Sequence, residues 1–279
     1  MRKKKILVLA AMLAVSLSAC AGKNQAQQTT QAQSQETSQP QETESAAAAV
    51  EAAKITSMEE LTFPVGEKVS GAFTGTAYLI PMIMNDEEYN FPQTNNVTFE
   101  PGARSYWHSH GGMILVGTGG MGYYQEEGKP AQIIRKGDVV ECPEGVRHWH
   151  GAAPDSWFSQ MVIYDSHYTP AGDVPEEAPV TDEEYENLEV ADYTPQVSLD
   201  NGFMFQRAKE AMESDTFSGP AYVSNIIGDD NVADAPGLHY AVFDPGVHNN
   251  RHTHAEVQSL ITLDAIGSKH IAGQPLEAL

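Results

Sequence analysis

Four histidines carry the chemistry this sequence could perform. His108 and His110 are separated by one residue, and His148 and His150 repeat that spacing forty residues later. On an extended strand, alternate side chains share a face, so each pair presents two imidazoles on one side. Gly102 precedes His108 by five intervening residues, and Gly137, Pro143 and Gly145 precede His148. Those glycines and the proline are turn residues that deliver each pair at the start of a strand. Two imidazoles on one face form a chelate, and a third from a neighbouring strand completes a set of neutral nitrogen ligands suited to a transition metal. His108, His110 and His148 are therefore the candidate ligands. His150 shares the face of His148 and is either an acid or base beside the ion or an ordinary strand histidine bonded to a carbonyl.

Other residues near the two pairs leave alternatives open. Tyr106 has the parity of His108, which fits a pocket wall or the core. Arg104 fits an anionic substrate or the surface. Trp107 and Trp149 have the opposite parity and are expected outside the cavity. Cys142 reads as a small buried strand residue rather than a thiolate nucleophile.

These pairs need a scaffold of strands. From Lys54 to Tyr168 the chain runs in short apolar stretches, among them Thr76–Met84, Asn96–Phe99, Ile114–Val116 and Ser159–Tyr164, punctuated by Pro101-Gly102, Gly117–Gly122 and Gly128. Many short strands with regular turns predict an all-β barrel or sandwich.

The same signals return. Phe73-Thr-Gly-Thr-Ala-Tyr-Leu79 recurs as Phe217-Ser-Gly-Pro-Ala-Tyr-Val223, Phe99-Glu-Pro-Gly102 as Phe243-Asp-Pro-Gly246, and His108-Ser-His110 as His252-Thr-His254, each 144 positions later. Gly128-Lys-Pro130 recurs as Gly273-Gln-Pro275 after one extra residue. The expectation is two related barrels in tandem, over residues 55–170 and 201–279, the second lacking counterparts of residues 135–168 and so incomplete. Between them, residues 171–200 read as an acidic linker. A short helix is expected at 201–213, with Phe203 and Met212 in the core.

The histidine segments, with their fixed glycine spacing and order, resemble the two motifs of the cupin superfamily. The run His148-Trp-His-Gly-Ala152 and the later Pro179-Val-Thr-Asp-Glu-Glu-Tyr185 resemble small bacterial cupins, a group that includes partners of carboxymuconolactone decarboxylases and cupin hydroxynitrile lyases. The resemblance implies a jelly-roll barrel with one divalent metal, Mn, Fe, Zn or Ni, held by His108, His110 and His148. It also implies a fourth oxygen ligand after the first pair. Aligned on the repeat, Met113 stands there while the second repeat has Gln258, so Met113 is a pocket residue and His252, His254 and Gln258 form a partial second site. The activity implied is metal-dependent chemistry on a small organic molecule, tilted toward a lyase or decarboxylase, and the family suggests a homodimer. The alternatives are a non-catalytic module that binds a small ligand or metal, and a degenerate or truncated paralogue.

The charge of −22, from 38 acidic and 16 basic residues, argues against a nucleic-acid partner, which needs a basic face. Arg2–Lys5 followed by the apolar run Ile6–Val15 reads as an export signal too short to span a bilayer. Leu17-Ser-Ala-Cys20 resembles a bacterial lipobox, which implies a lipid on Cys20 and a membrane-anchored protein on the outer side of the membrane. Residues 21–54, rich in Gln and Ser and without aromatic residues, read as a disordered tether.

Overall fold

A computed structural model describes residues 46–84, 93–165, 178–194, 203–228, 230–233, 235–254, 258–263 and 267–278. The export signal, Cys20 and most of the tether lie outside them. Helix α1 (Ala46–Ala53) comes first. It corrects the boundary of the tether: the run of alanines favours a helix, and Val50 and Ala53 pack on Met121, Tyr123, Ile133 and Ala153.

Strands β1 (Glu67–Val69), β2 (Phe73–Thr74), β3 (Ala77–Ile83), β4 (Thr94–Phe99), β5 (Arg104–Ser105), β6 (Met113–Glu126), β7 (Gln132–Arg135), β8 (Val139–Cys142), β9 (His148–Ala152) and β10 (Phe158–Tyr164) form one sheet in the order β1-β3-β4-β10-β6-β9-β5-β2, with β7 and β8 also paired to β6. The fold is an all-β jelly roll. Its hinge is β6. The first half of β6 lies between β10 and β8, and the second half between β7 and β9. The segment Gly117–Gly122, expected to be a turn, instead carries the strand from one layer to the other. At Gly120, with φ +69°, an added Cβ would sit 1.8 Å from the carbonyl oxygen of Trp157, so only glycine permits this bend.

Alternation along β6 divides two cores. Met113 and Leu115 point inward with Val97, Phe99, Tyr124, Ile134, Val140, Cys142, Phe158 and Val162. Ile114 and Val116 point outward with Met161 and pack against Met204, Phe205, Ile227, Ala233, Ala235 and Tyr240. Residues of the second repeat thus cover the outer face of the first barrel. The approach is close at Gly112, where an added Cβ would lie 1.7 Å from the carbonyl oxygen of Ala233.

Between the repeats, helix α2 (Asp182–Glu186) starts at a Thr181–Glu184 capping box. The acidic stretch is docked, not free, over residues 178–194. Val180, Tyr185 and Leu188 pack on Trp149 and Trp107, the Tyr185 hydroxyl donates to the Ala152 carbonyl at 2.6 Å, and Ala131 exchanges backbone hydrogen bonds with Glu189 and Ala191. Apolar residues interspersed among the acids supply the contact that a charge count hides.

The second repeat forms β11 (Ala221–Ile227), paired with β12 (Leu238–Phe243), and β13 (Ser268–His270), paired with β14 (Leu276–Ala278). The β11–β12 ladder has the register of β3–β4 shifted by 144, including the irregularity near its end: Ala77 faces Phe99 as Ala221 faces Phe243. Phe217 and Phe243 stand 5.7 Å apart, as Phe73 and Phe99 do at 6.0 Å. Among the described residues these ladders do not close into a second barrel. The expected helix at 201–213 is absent over its described part: residues 203–213 are irregular. Met204 and Phe205 are buried there while Met212 is 46% exposed. Consecutive inward residues do not fit a helical period.

Candidate metal centre

His148 opens β9, and an isolated bridge joins it to His108, whose backbone N–H donates to the His148 carbonyl at 2.9 Å. His110 follows on the loop before β6. The turn at Gly145 is tied to that loop, since its N–H donates to the His110 carbonyl at 2.8 Å. Asp165 secures the other side by accepting from the Gly112 N–H at 2.7 Å. Backbone bonds thus set the separation of the two histidine segments.

The structure brings His108, His110 and His148 together, with one ligand atom of each within 4.8 Å of the others. Their ring centroids are 5.3, 4.4 and 4.8 Å apart. In each ring Nδ1 faces a backbone carbonyl: Tyr106 at 2.8 Å, Gly111 at 2.5 Å and Val146 at 2.8 Å. A carbonyl only accepts, so Nδ1 carries the proton and Nε2 keeps its lone pair. Burial holds the imidazoles neutral. It pushes His108 down to about 4, lowers His110, and takes His148 well below the usual histidine value. Three neutral imidazoles that converge in this way fit a transition metal, and this group could hold one.

His150 lies deeper. Its ring is 5.4 Å from that of His108 and 6.0 Å from that of His148, and the Gln160 side-chain amide nitrogen donates to its Nδ1 at 2.8 Å. A neutral His150 then carries its proton on Nε2. Burial drives it well below the usual histidine value. Tyr164 completes the wall, 5.6 Å from His110 edge to face.

Met113 is fully buried among the apolar residues of the barrel interior. Tyr106 is half-buried, and its carbonyl orients His108. Arg104 is corrected as a pocket residue. Its guanidinium donates to the carbonyls of Val180 and Gly102, pairs with Asp182 at 2.7 Å and lies 4.4 Å over the Tyr185 ring. Strand parity turns it to the outer face, where it clamps the docked segment. Cys142 is buried, accepts from the Tyr124 hydroxyl at 3.3 Å and has its thiol pushed up to about 12 by burial.

In the second repeat, His252 Nδ1 donates to the Asn250 carbonyl at 2.7 Å, the counterpart of the His108–Tyr106 bond. The Nε2 atoms of His252 and His254 lie 3.0 Å apart. Both rings and Gln258 are exposed.

Sequence reasoning passed over Asn95 and Gln160, which the barrel interior also contains. Asn95 has the parity of Val97 and Phe99, and Gln160 that of Phe158 and Val162, all four of which are inward. A polar residue at a core-parity position was the signal.

No family model matches the chain. It is 39% identical over 127 residues to an (R)-mandelonitrile lyase of Granulicella tundricola, covering 95% of that protein and 43% of this chain. Among solved structures, a cupin-like protein of Thermotoga maritima is 43% identical over 98% of its length and 47% of this chain, with a TM-score of 0.41. A cupin 2 conserved barrel domain protein of Rhodopseudomonas palustris is 14% identical over 77% of its length and 42% of this chain, with a TM-score of 0.33. With a relative matched over nearly its whole length, and the histidine motifs on a jelly-roll barrel, the chain belongs to the cupin superfamily.

Proposed function

We propose that the first barrel is a metal-dependent lyase acting on a small α-hydroxynitrile or a related carbonyl adduct. The observation that carries this reading is the convergence of His108, His110 and His148, one ligand atom of each within 4.8 Å of the others, beside the buried His150. The mandelonitrile lyase likeness supports the reaction class. An ion on His108, His110 and His148 would supply Lewis acidity, polarising the substrate oxygen.

The chain's own groups do the rest. His148 and His150 are buried, and burial strengthens the polar contacts a substrate would make there. Gln160 keeps the His150 proton on Nε2, from which His150 donates it to the departing cyanide while the substrate hydroxyl proton replaces it. Over the reaction the substrate hydroxyl loses one proton and cyanide gains one as the carbon–carbon bond breaks and the carbonyl forms. Tyr164 and Phe99, against His110 and His150, would shape the apolar part of the site.

The test is incubation of the metal-loaded protein with racemic mandelonitrile and measurement of benzaldehyde and cyanide. Expected is release that His148→Ala abolishes and that His150→Ala lowers by roughly 10²–10⁴-fold, the range of a general acid–base group. No release above the metal-free control would overturn the lyase reading.

We also propose export and lipid anchoring at Cys20, on the sequence of the first 20 residues. Labelled palmitate should enter the wild-type protein and not Cys20→Ser; equal labelling would reject the anchor.

A further inference from the structure

We propose that Asn95 and Gln160 form a pair of hydrogen-bond acceptors that selects a neutral ligand with two donors, a primary amide or a vicinal diol, beside the histidine cluster. This rests on the reading of the barrel interior as the ligand site and concerns recognition, not the reaction: an α-hydroxynitrile, with one donor, would engage only one of the two acceptors.

Two side-chain oxygens carry the argument. Asn95 Oδ1 and Gln160 Oε1 are buried and have no hydrogen-bond partner among the described residues. Asn95 is 4% exposed and Gln160 fully buried. An orphaned buried acceptor is a cost that folded proteins avoid unless it serves something. The contrast on the other face of the same strands is direct. There Asn96, Thr98, Thr118 and Ser159 are equally buried, and they satisfy one another with bonds of 2.9–3.3 Å. The fold closes its polar network where the network is structural and leaves two acceptors open where the wall faces inward.

The register brings the two acceptors onto one patch. Strand β10 pairs with β4 so that Gln160 faces Val97 and Val162 faces Asn95. Asn95 and Gln160 are therefore diagonal neighbours on the inner face, with Cβ atoms roughly 7–8 Å apart by sheet geometry. The patch is tied to the metal centre at both ends. Gln160 holds His150, whose ring is 5.4 Å from that of His108. Tyr164, two residues beyond Val162 on the same strand, is 5.6 Å from His110. Two carbonyl-type oxygens demand N–H or O–H donors. A cationic donor is disfavoured beside a divalent ion, and Arg104 is committed to the outer face, which leaves a neutral donor group.

The experiment uses the full chain with 2-phenylacetamide, whose amide brings two N–H donors, and methyl phenylacetate, similar in shape with none. Calorimetric titration should show the amide binding at least tenfold more tightly to the wild type, a preference falling to near parity in both Asn95→Leu and Gln160→Met. Asn95→Leu should also raise the melting temperature, because it removes an unpartnered acceptor while keeping the side-chain volume. Equal affinity for the two probes, including none for either, would overturn the proposal. So would a lowered melting temperature in Asn95→Leu, or a crystal structure in which one ordered water satisfies both oxygens with and without the amide. The metal content of each variant, measured alongside, separates this outcome from failure of the lyase reading: a chain without metal defeats that reading, while the probe ratio and the melting temperature still judge the acceptor pair.

Discussion

The Cys142 sulfur lies 3.4 Å from Nδ1 and 3.7 Å from Nε2 of His148. Similar distances to both ring nitrogens place it against the imidazole ring, as a packing partner and not as the end of a hydrogen-bonded pair. With the thiol pushed up to about 12, a thiolate is excluded at neutral pH. Cys142→Ala should cost about 1–2 kcal/mol, a small-cavity penalty, and leave bound metal unchanged. A thiol reagent should modify Cys142 only in denaturant. Fast labelling of the native protein would contradict this placement.

Metal removal is the direct test of the centre. Elemental analysis of the purified chain should give near one equivalent of a transition metal. His108→Ala, His110→Ala and His148→Ala should each lose most of it, since the loss of one of three ligands weakens such a site by at least the 10–100-fold typical of an outer partner. His252→Ala should leave the content unchanged, because the second pair is exposed and no third histidine joins it among the described residues. Two equivalents in the wild type would show that the second pair also binds.

The histidine cluster sets a pH dependence for the metal-free protein. The folded values of His108, His110, His148 and His150 lie below the ordinary histidine value of 6.5, through burial first. Between the folded and unfolded values the unfolded chain binds more protons, so stability rises with pH there. Stability should be complete above pH 6.5 and decline as pH falls toward 4, the folded value of His108. Urea midpoints at pH 7.5 and 5.0 measure it; a midpoint independent of pH would mean that the cluster is solvated.

The outer face of the first barrel needs the second repeat. A chain ending at residue 194 would expose Ile114, Val116 and Met161, now buried by Met204, Phe205 and Tyr240. Such a face invites association. The shortened protein should bind a hydrophobic dye more strongly than the full chain and form larger species than it does in analytical ultracentrifugation. In the full chain Met161→Ala should cost about 2–4 kcal/mol. A monomeric, dye-free shortened protein would show that the face is covered in another way.

Arg104 fastens the segment 178–186 to the barrel. Arg104→Met should cost about 1–3 kcal/mol, since the carbonyl of buried Val180 loses its donor, while metal content stays intact. Protease cleavage between residues 178 and 194 should accelerate. If the metal is lost instead, Arg104 acts on the centre.

The sequence by itself determined what depends on local rules. Strand parity puts His108 with His110 and His148 with His150, and the turns at Gly102 and Gly145 locate the starts of those segments. The 144-residue offset foretold matching ladders, because register follows from the pattern of inward residues and turns. Tertiary structure decided what depends on partners distant in the chain. Parity left Arg104 open between substrate and surface, and Val180, Asp182 and Tyr185, more than seventy residues later, settled it. The glycines of β6 read as a turn because propensity does not register that Trp157 and Gly151 crowd the strand from across the barrel. Asn95 and Gln160 looked like ordinary polar residues until β4 and β10 paired. Whether a buried amide is satisfied is decided by what lies across the sheet, which local sequence does not encode.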